Sequence, residues 1–94
     1  MADRVMKVNA FTTFDLLDGS VEGHGFEENA FATLNVRTAR EDPEAVTLEL
    51  ELDNTALESV PPHADRVTLT ADEAERLASE LQAAADRVVE EGNA

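Results

Sequence analysis

The chain has no cysteine, no tryptophan and no tyrosine, and a single lysine, Lys7. Without cysteine there is no disulfide, no thiolate nucleophile and no cysteine-ligated zinc. No apolar run approaches the roughly 20 residues that a membrane-spanning helix requires, so no membrane partner is expected. The start, Met1-Ala2-Asp3-Arg4, carries no apolar signal segment, which makes the cytoplasm the expected location. Basic residues are also few. Seven Lys and Arg face 21 Asp and Glu, for a formal net charge of −14. Such a field repels nucleic-acid phosphates and anionic lipid, so nucleic acid is not an expected partner.

Acidity on this scale invites two readings. Intrinsic disorder is opposed by a hydrophobic content of 43% arranged in alternating segments. Adaptation to molar salt fits better. At 1 M the screening length falls to about 3 Å, so repulsion among surface carboxylates nearly vanishes. The preference for Arg over Lys and the abundance of Ala, Val and Thr agree with that reading.

The 94 residues predict one domain, 1–94, of the α+β class. Its most strongly marked element is a C-terminal helix over about 71–91. Thr70 is placed as the N-cap, and Glu73 three residues later completes a capping box. Asp72, Glu73 and Glu75 lie where the helix dipole favours negative charge. Ala74, Leu77, Ala78, Leu81, Ala85 and Val88 form one narrow apolar stripe. A helix of this length is marginal in water alone and needs a surface to lie on. Gly92-Asn93 supplies an end that tolerates left-handed backbone.

Upstream, period-two alternation predicts an antiparallel sheet of three to four strands at about 5–14, 31–38, 45–52 and 66–69. The third is the clearest, with Val46, Leu48, Leu50 and Leu52 alternating with Thr47, Glu49 and Glu51. The helix is expected to cover one face, above Met6, Val8, Leu34, Val36, Leu48 and Leu50. Residues 15–30 read as a long glycine- and acid-rich loop or small hairpin, with Asp18-Gly19 as a turn dipeptide. Residues 53–65 read as a loop, because Pro61-Pro62 fits neither strand nor helix interior, with one helical turn near Thr55 to Glu58.

Chemistry has few places to reside. The 15–30 segment carries His24 between two glycines, with Asp18 and Glu22 nearby, and His63 follows the proline pair. A histidine with a carboxylate partner suits metal ligation or general-base work. The plainer reading is a solvated histidine in an acidic loop. Gly23-His24-Gly25-Phe26-Glu27-Glu28 is not a dinucleotide fingerprint, and Asp15-Leu16-Leu17-Asp18-Gly19 lacks the alternating oxygens of a calcium loop. No serine has a nucleophile's setting. No catalytic residue and no cofactor is assigned, and the metal question stays open.

On the face expected to lie away from the helix, the alternation displays Val5, Phe11 and Phe31 beside Arg37. Scattered apolar surface residues are normal. An apolar group on an open sheet also suits a two-fold self-association.

Several stretches carry a resemblance: Met6-Lys7-Val8-Asn9-Ala10, Leu16-Leu17-Asp18, Val21-Glu22-Gly23-His24-Gly25-Phe26, and Pro62-His63-Ala64-Asp65-Arg66-Val67-Thr68-Leu69. Through them the chain resembles a family of short, uncharacterised haloarchaeal proteins over most of its length. The resemblance implies a halophilic origin and a cytoplasmic place but no reaction. The sequence therefore predicts a small, non-enzymatic interaction module of a halophilic cytoplasm, homodimeric through its open sheet face. The alternative is a metal- or small-ligand-binding protein or enzyme using the His24 loop.

Overall fold

A computed structural model describes residues 4–8 and 10–92, without the side chains of Arg4 and residues 6–8. The expected roles of the Met6 and Val8 side chains and of Asn93 fall outside those bounds. The elements are β1 (Arg4–Val8), β2 (Phe11–Gly23), β3 (Phe26–Arg37), β4 (Val46–Leu52), a single 3₁₀ turn (Asn54–Ala56), β5 (Asp65–Leu69) and α1 (Ala71–Glu91). The strands form one antiparallel sheet in sequence order, β1-β2-β3-β4-β5. The α+β class, the antiparallel sheet and the long C-terminal helix are as the sequence predicts.

The N-terminal half differs in detail. The strand expected at 5–14 is two strands, paired antiparallel from Val8↔Phe11 to Arg4↔Asp15. Residues 15–30 are regular strand for most of their length, folded as a long β2–β3 hairpin whose register closes at Gly23↔Phe26. The reversal falls at His24-Gly25, where Gly25 adopts φ +89°, a conformation that costs glycine little. Asp18-Gly19, expected to turn, lies mid-strand opposite Ala30 and Phe31.

A bulge makes this long hairpin possible. Phe14 pairs with Leu34 but Leu17 pairs with Ala32, so Asp15 and Leu16 together oppose Thr33. Leu16 takes φ +58°, and the Asp15 carboxylate accepts hydrogen bonds from the Leu16 amide and the Thr33 hydroxyl, each at 2.9 Å. The extra residue resets the alternation. Phe14, Leu17 and Val21 share a face, while Asp18, Ser20 and Glu22 take the other.

Cross-strand partners point the same way, so the register defines the two faces. The apolar face carries Val5, Phe14, Leu17 and Val21 from β1 and β2, and Ala32, Leu34 and Val36 from β3. Val46, Leu48, Leu50 and Leu52 of β4, with Val67 and Leu69 of β5, complete it. Ala32, 4% exposed, is the buried apolar residue among those described. It sits where Gly19 lets Leu52 close in: a Cβ at Gly19 would lie 2.8 Å from the Ala30 carbonyl oxygen, Ala32 Cβ and Leu52 Cδ2.

The expected cover is missing. Thr70 caps α1 with the full capping box, its hydroxyl accepting from the Glu73 amide at 3.1 Å and its amide donating to Glu73 Oε1 at 2.9 Å. The helix then leaves the sheet. Within α1 only Ala74 is half-buried, and Leu77, Leu81, Val88 and Val89 are exposed. The physical reason is the connection. Thr70 alone separates β5 from α1, and the capping box holds it extended at φ −71°, ψ 168°. Connections between strands and helices usually take two to six residues, and one locked residue gives no reversal back over the sheet. The helix ends at Gly92 in right-handed backbone (φ −74°), donating to the Val88 carbonyl, so the expected left-handed end is not used there.

Candidate functional site

Among the described residues, the apolar sheet face and most of the helix stripe are two hydrophobic surfaces left largely open, with α1 touching the sheet mainly at β5. Leu50, at mid-sheet on β4, is 41% exposed, although a neighbouring strand flanks it on each side. Val5, Val67, Leu77, Leu81 and Val88 are all exposed. The consequence appears in the total area. A compact monomer of 10.2 kDa exposes about 5,300 Å². This chain exposes 7347 Å². The excess is roughly 2,000 Å² of total surface, polar and apolar together. Its radius of gyration, 15.3 Å, likewise exceeds the about 12.4 Å of a compact chain of 94 residues.

The polar face is the better satisfied of the two. Glu49, 9% exposed, is its centre. Arg66 Nε donates to Glu49 Oε2 at 2.6 Å, Asn35 Nδ2 donates to Oε1 at 3.2 Å, and Arg37 Nη2 stands 3.8 Å from Oε2. The Thr13 hydroxyl extends the chain by donating to Asn35 Oδ1 at 2.9 Å. Hydrogen bonds from Arg66 and then Asn35 outweigh burial and hold the Glu49 carboxyl below the usual carboxylate range. Four strands are thereby tied across one face by polar contacts, and no buried side-chain nitrogen or oxygen among the described residues lacks a partner. This network has the character of a structural strap: its carboxylate is already engaged on both oxygens.

The residues singled out in the sequence fall in separate places. His24 is exposed at the tip of the β2–β3 hairpin. Asp18 and Glu22 lie on the polar side of β2, about 13 Å apart along an extended strand, too far to share one small ion. His63 lies in the connection before β5, its Nδ1 2.9 Å from the Pro61 carbonyl oxygen and its Nε2 3.3 Å from Asp65. The Pro61 carbonyl foremost, with help from Asp65, raises its pKa above the ordinary histidine value and outweighs the opposing effect of burial. No group of three His, Asp or Glu among the described residues is placed to hold a metal ion. Of the residues expected at an interface, Phe11 and Arg37 are direct cross-strand partners on the polar face, and Phe31 shares that face opposite Asp18. Val5 pairs with Phe14 and joins the apolar face instead, because the reversal between β1 and β2 inverts the alternation.

Phe31 also lines a cleft of ≈ 550 Å³ with Asp18, Asn29, Ala30, Asp53 and Ala56. Asp53 caps the 3₁₀ turn there, accepting from the Thr55 amide at 3.0 Å and its hydroxyl at 2.7 Å, which lowers its pKa. The cleft is open, and of its two carboxylates Asp53 is already used in the turn while Asp18 lies on β2.

A model of a family of unknown function, DUF6360, matches residues 1–90. The chain belongs to DUF6360. The match takes in the whole sheet and all but the last residue of α1, so the projecting helix is part of what defines the DUF6360 chain. No curated protein and no solved structure matches it. No helix among the described residues is long and apolar enough to cross a membrane.

Sequence reasoning assigned Leu48 and Leu50 to a covered face, and so missed that Leu50 is exposed and Leu48 only half-buried. The signal lay in the single residue between β5 and α1, the cap Thr70, too short a connection to bring the helix back. It also missed Glu49, which was visible only as a polar member of an alternating strand.

Proposed function

We propose that this DUF6360 chain is a small, non-enzymatic protein-interaction module that self-associates through the open apolar face of its sheet. Its acidity and its resemblance to haloarchaeal proteins support a salt-rich cytoplasm as its setting. The observation that carries the reading is the roughly 2,000 Å² of surface beyond what a compact monomer exposes. Obligate dimer interfaces bury about 2,000–5,000 Å² in total, or 1,000–2,500 Å² from each partner, and the excess lies within that range. The carboxylates that would oppose association are screened in molar salt. A catalytic reading has less support, since the histidines expected to act are exposed and stand with hairpin-tip or proline-loop neighbours.

Mass action supplies the test. Folding coupled to assembly makes the melting temperature rise with protein concentration. In molar KCl, a melting temperature that climbs across a hundredfold concentration series is the expected result. A melting temperature independent of concentration would contradict self-association.

A further inference from the structure

Resting on that self-association, we infer a reciprocal exchange of helices: α1 of each copy lies along the apolar sheet face of the other. Four observations select this occupant. First, the described residues leave two apolar surfaces of each chain largely open, the sheet face and the helix stripe, and an exchange covers both with one two-fold operation. Packing sheet on sheet would leave Leu77, Leu81 and Val88 in water.

Second, the dimensions agree. The stripe from Ala74 to Val88 runs about 21 Å at 1.5 Å per residue. The five strands span about 19 Å between outer axes at 4.8 Å spacing, and β4 is about 24 Å long. The alanines at three stripe positions allow a close approach to the sheet.

Third, charge disfavours pairing one helix with another. Seven carboxylates on α1 face only Arg76 and Arg87. Two such helices side by side would oppose like charges, whereas the sheet face around Leu34, Val36, Leu48 and Leu50 carries one carboxylate among the described side chains, Asp65 opposite Leu50, which stands 3.3 Å from His63 Nε2. Fourth, the chain's own helix is directed away from its own face by the locked Thr70 connection, which leaves that face to another copy.

The absence of native cysteine makes the test clean. The doubly substituted full chain Leu50→Cys/Leu81→Cys is treated with a short bismaleimide in molar KCl and resolved by denaturing electrophoresis and intact mass. Exchange predicts a covalent dimer as the main product. Mixing mass-tagged Leu50→Cys with untagged Leu81→Cys should give the mixed dimer in excess of either homodimer. A bridge within one chain would overturn the inference, because the helix would then cover its own sheet. Homodimers of Leu50→Cys without mixed dimers would overturn it in favour of sheet-on-sheet packing, leaving self-association intact. A wild-type chain that sediments as a monomer would overturn both. Val67→Cys with Leu77→Cys is the second pair, needed should the first fail to fold; absence of mixed dimers from it as well counts against exchange.

Discussion

Replacing Leu81 by glutamine separates a helix that is solvated from one that is docked. Leu81 is 61% exposed and sits at the middle of the α1 stripe. Leu and Gln have nearly equal helix propensity, and the change adds no charge. In an isolated chain the substitution should therefore alter stability by only a few tenths of a kcal/mol. In an exchanged dimer the exposed share of the side chain becomes buried. Full burial of leucine contributes about 1.5–3 kcal/mol, so that share is about 1–2 kcal/mol per site. Two-fold symmetry doubles the loss to about 2–4 kcal/mol, which weakens association roughly thirty- to a thousandfold. Sedimentation equilibrium with interference optics suits the assay, since the chain lacks the tryptophan and tyrosine that absorbance detection needs. Ser79→Gln, on the opposite side of the helix, should leave association unchanged. Equal dissociation constants for wild type and Leu81→Gln, with far-ultraviolet circular dichroism preserved, would refute the docked helix.

Other outcomes follow from the same structure. Lowering KCl from molar to ~0.1 M lengthens the screening distance to about 10 Å, and thermal melts should fall steeply as the carboxylates of a −14 chain repel; unchanged melts would mean that the acidity is not a salt dependence. Glu49→Gln should lower the melting temperature at neutral pH. Because the folded pKa of Glu49 is depressed, its contribution is present above the ordinary carboxylate range of about 4 and is lost as pH falls through the lower folded value. The gap between wild type and Glu49→Gln should therefore close on acidification, and a gap that widens would mean that the Arg66 pairing is not what stabilises Glu49. Gly19→Ala should destabilise by about 1–3 kcal/mol through overpacking against Ala30 and Ala32 backbone and Cβ atoms, which cannot swing aside; a neutral melt would show that Leu52 does not close over that position. His63 should titrate by NMR above the ordinary histidine value, and Asp65→Asn should bring it part of the way back, with the Pro61 carbonyl keeping the remainder.

Local signals carried much of the fold. The helix at 71–91 was readable because its capping box and its 3.6-residue stripe lie within one short window, and β4 because Val46 to Leu52 alternate without interruption. The hairpin of β1 and β2 was hidden because Val8-Asn9-Ala10-Phe11 keeps an apolar rhythm and contains neither glycine nor proline. The bulge at Asp15-Leu16 was hidden for a related reason: the Leu16-Leu17 pair fits either face, and only the register with Thr33 decides between them. Asp18-Gly19 carried turn chemistry but is used for close packing, its glycine making room for Leu52. Covering the sheet is a different kind of question. A stripe of Leu77, Leu81 and Val88 reports that a helix needs a surface, and nothing in its period says whether that surface belongs to the same chain. The site residues scattered for the same reason: Val5 and Phe11 share parity along the sequence, and the intervening reversal placed them on opposite faces.

The most direct measurement is the mass of the wild-type chain in molar KCl at micromolar concentration, by sedimentation equilibrium. Self-association through the apolar face predicts twice the chain mass of 10.2 kDa. A single species at 10.2 kDa, stable to dilution and to rising concentration alike, would contradict it.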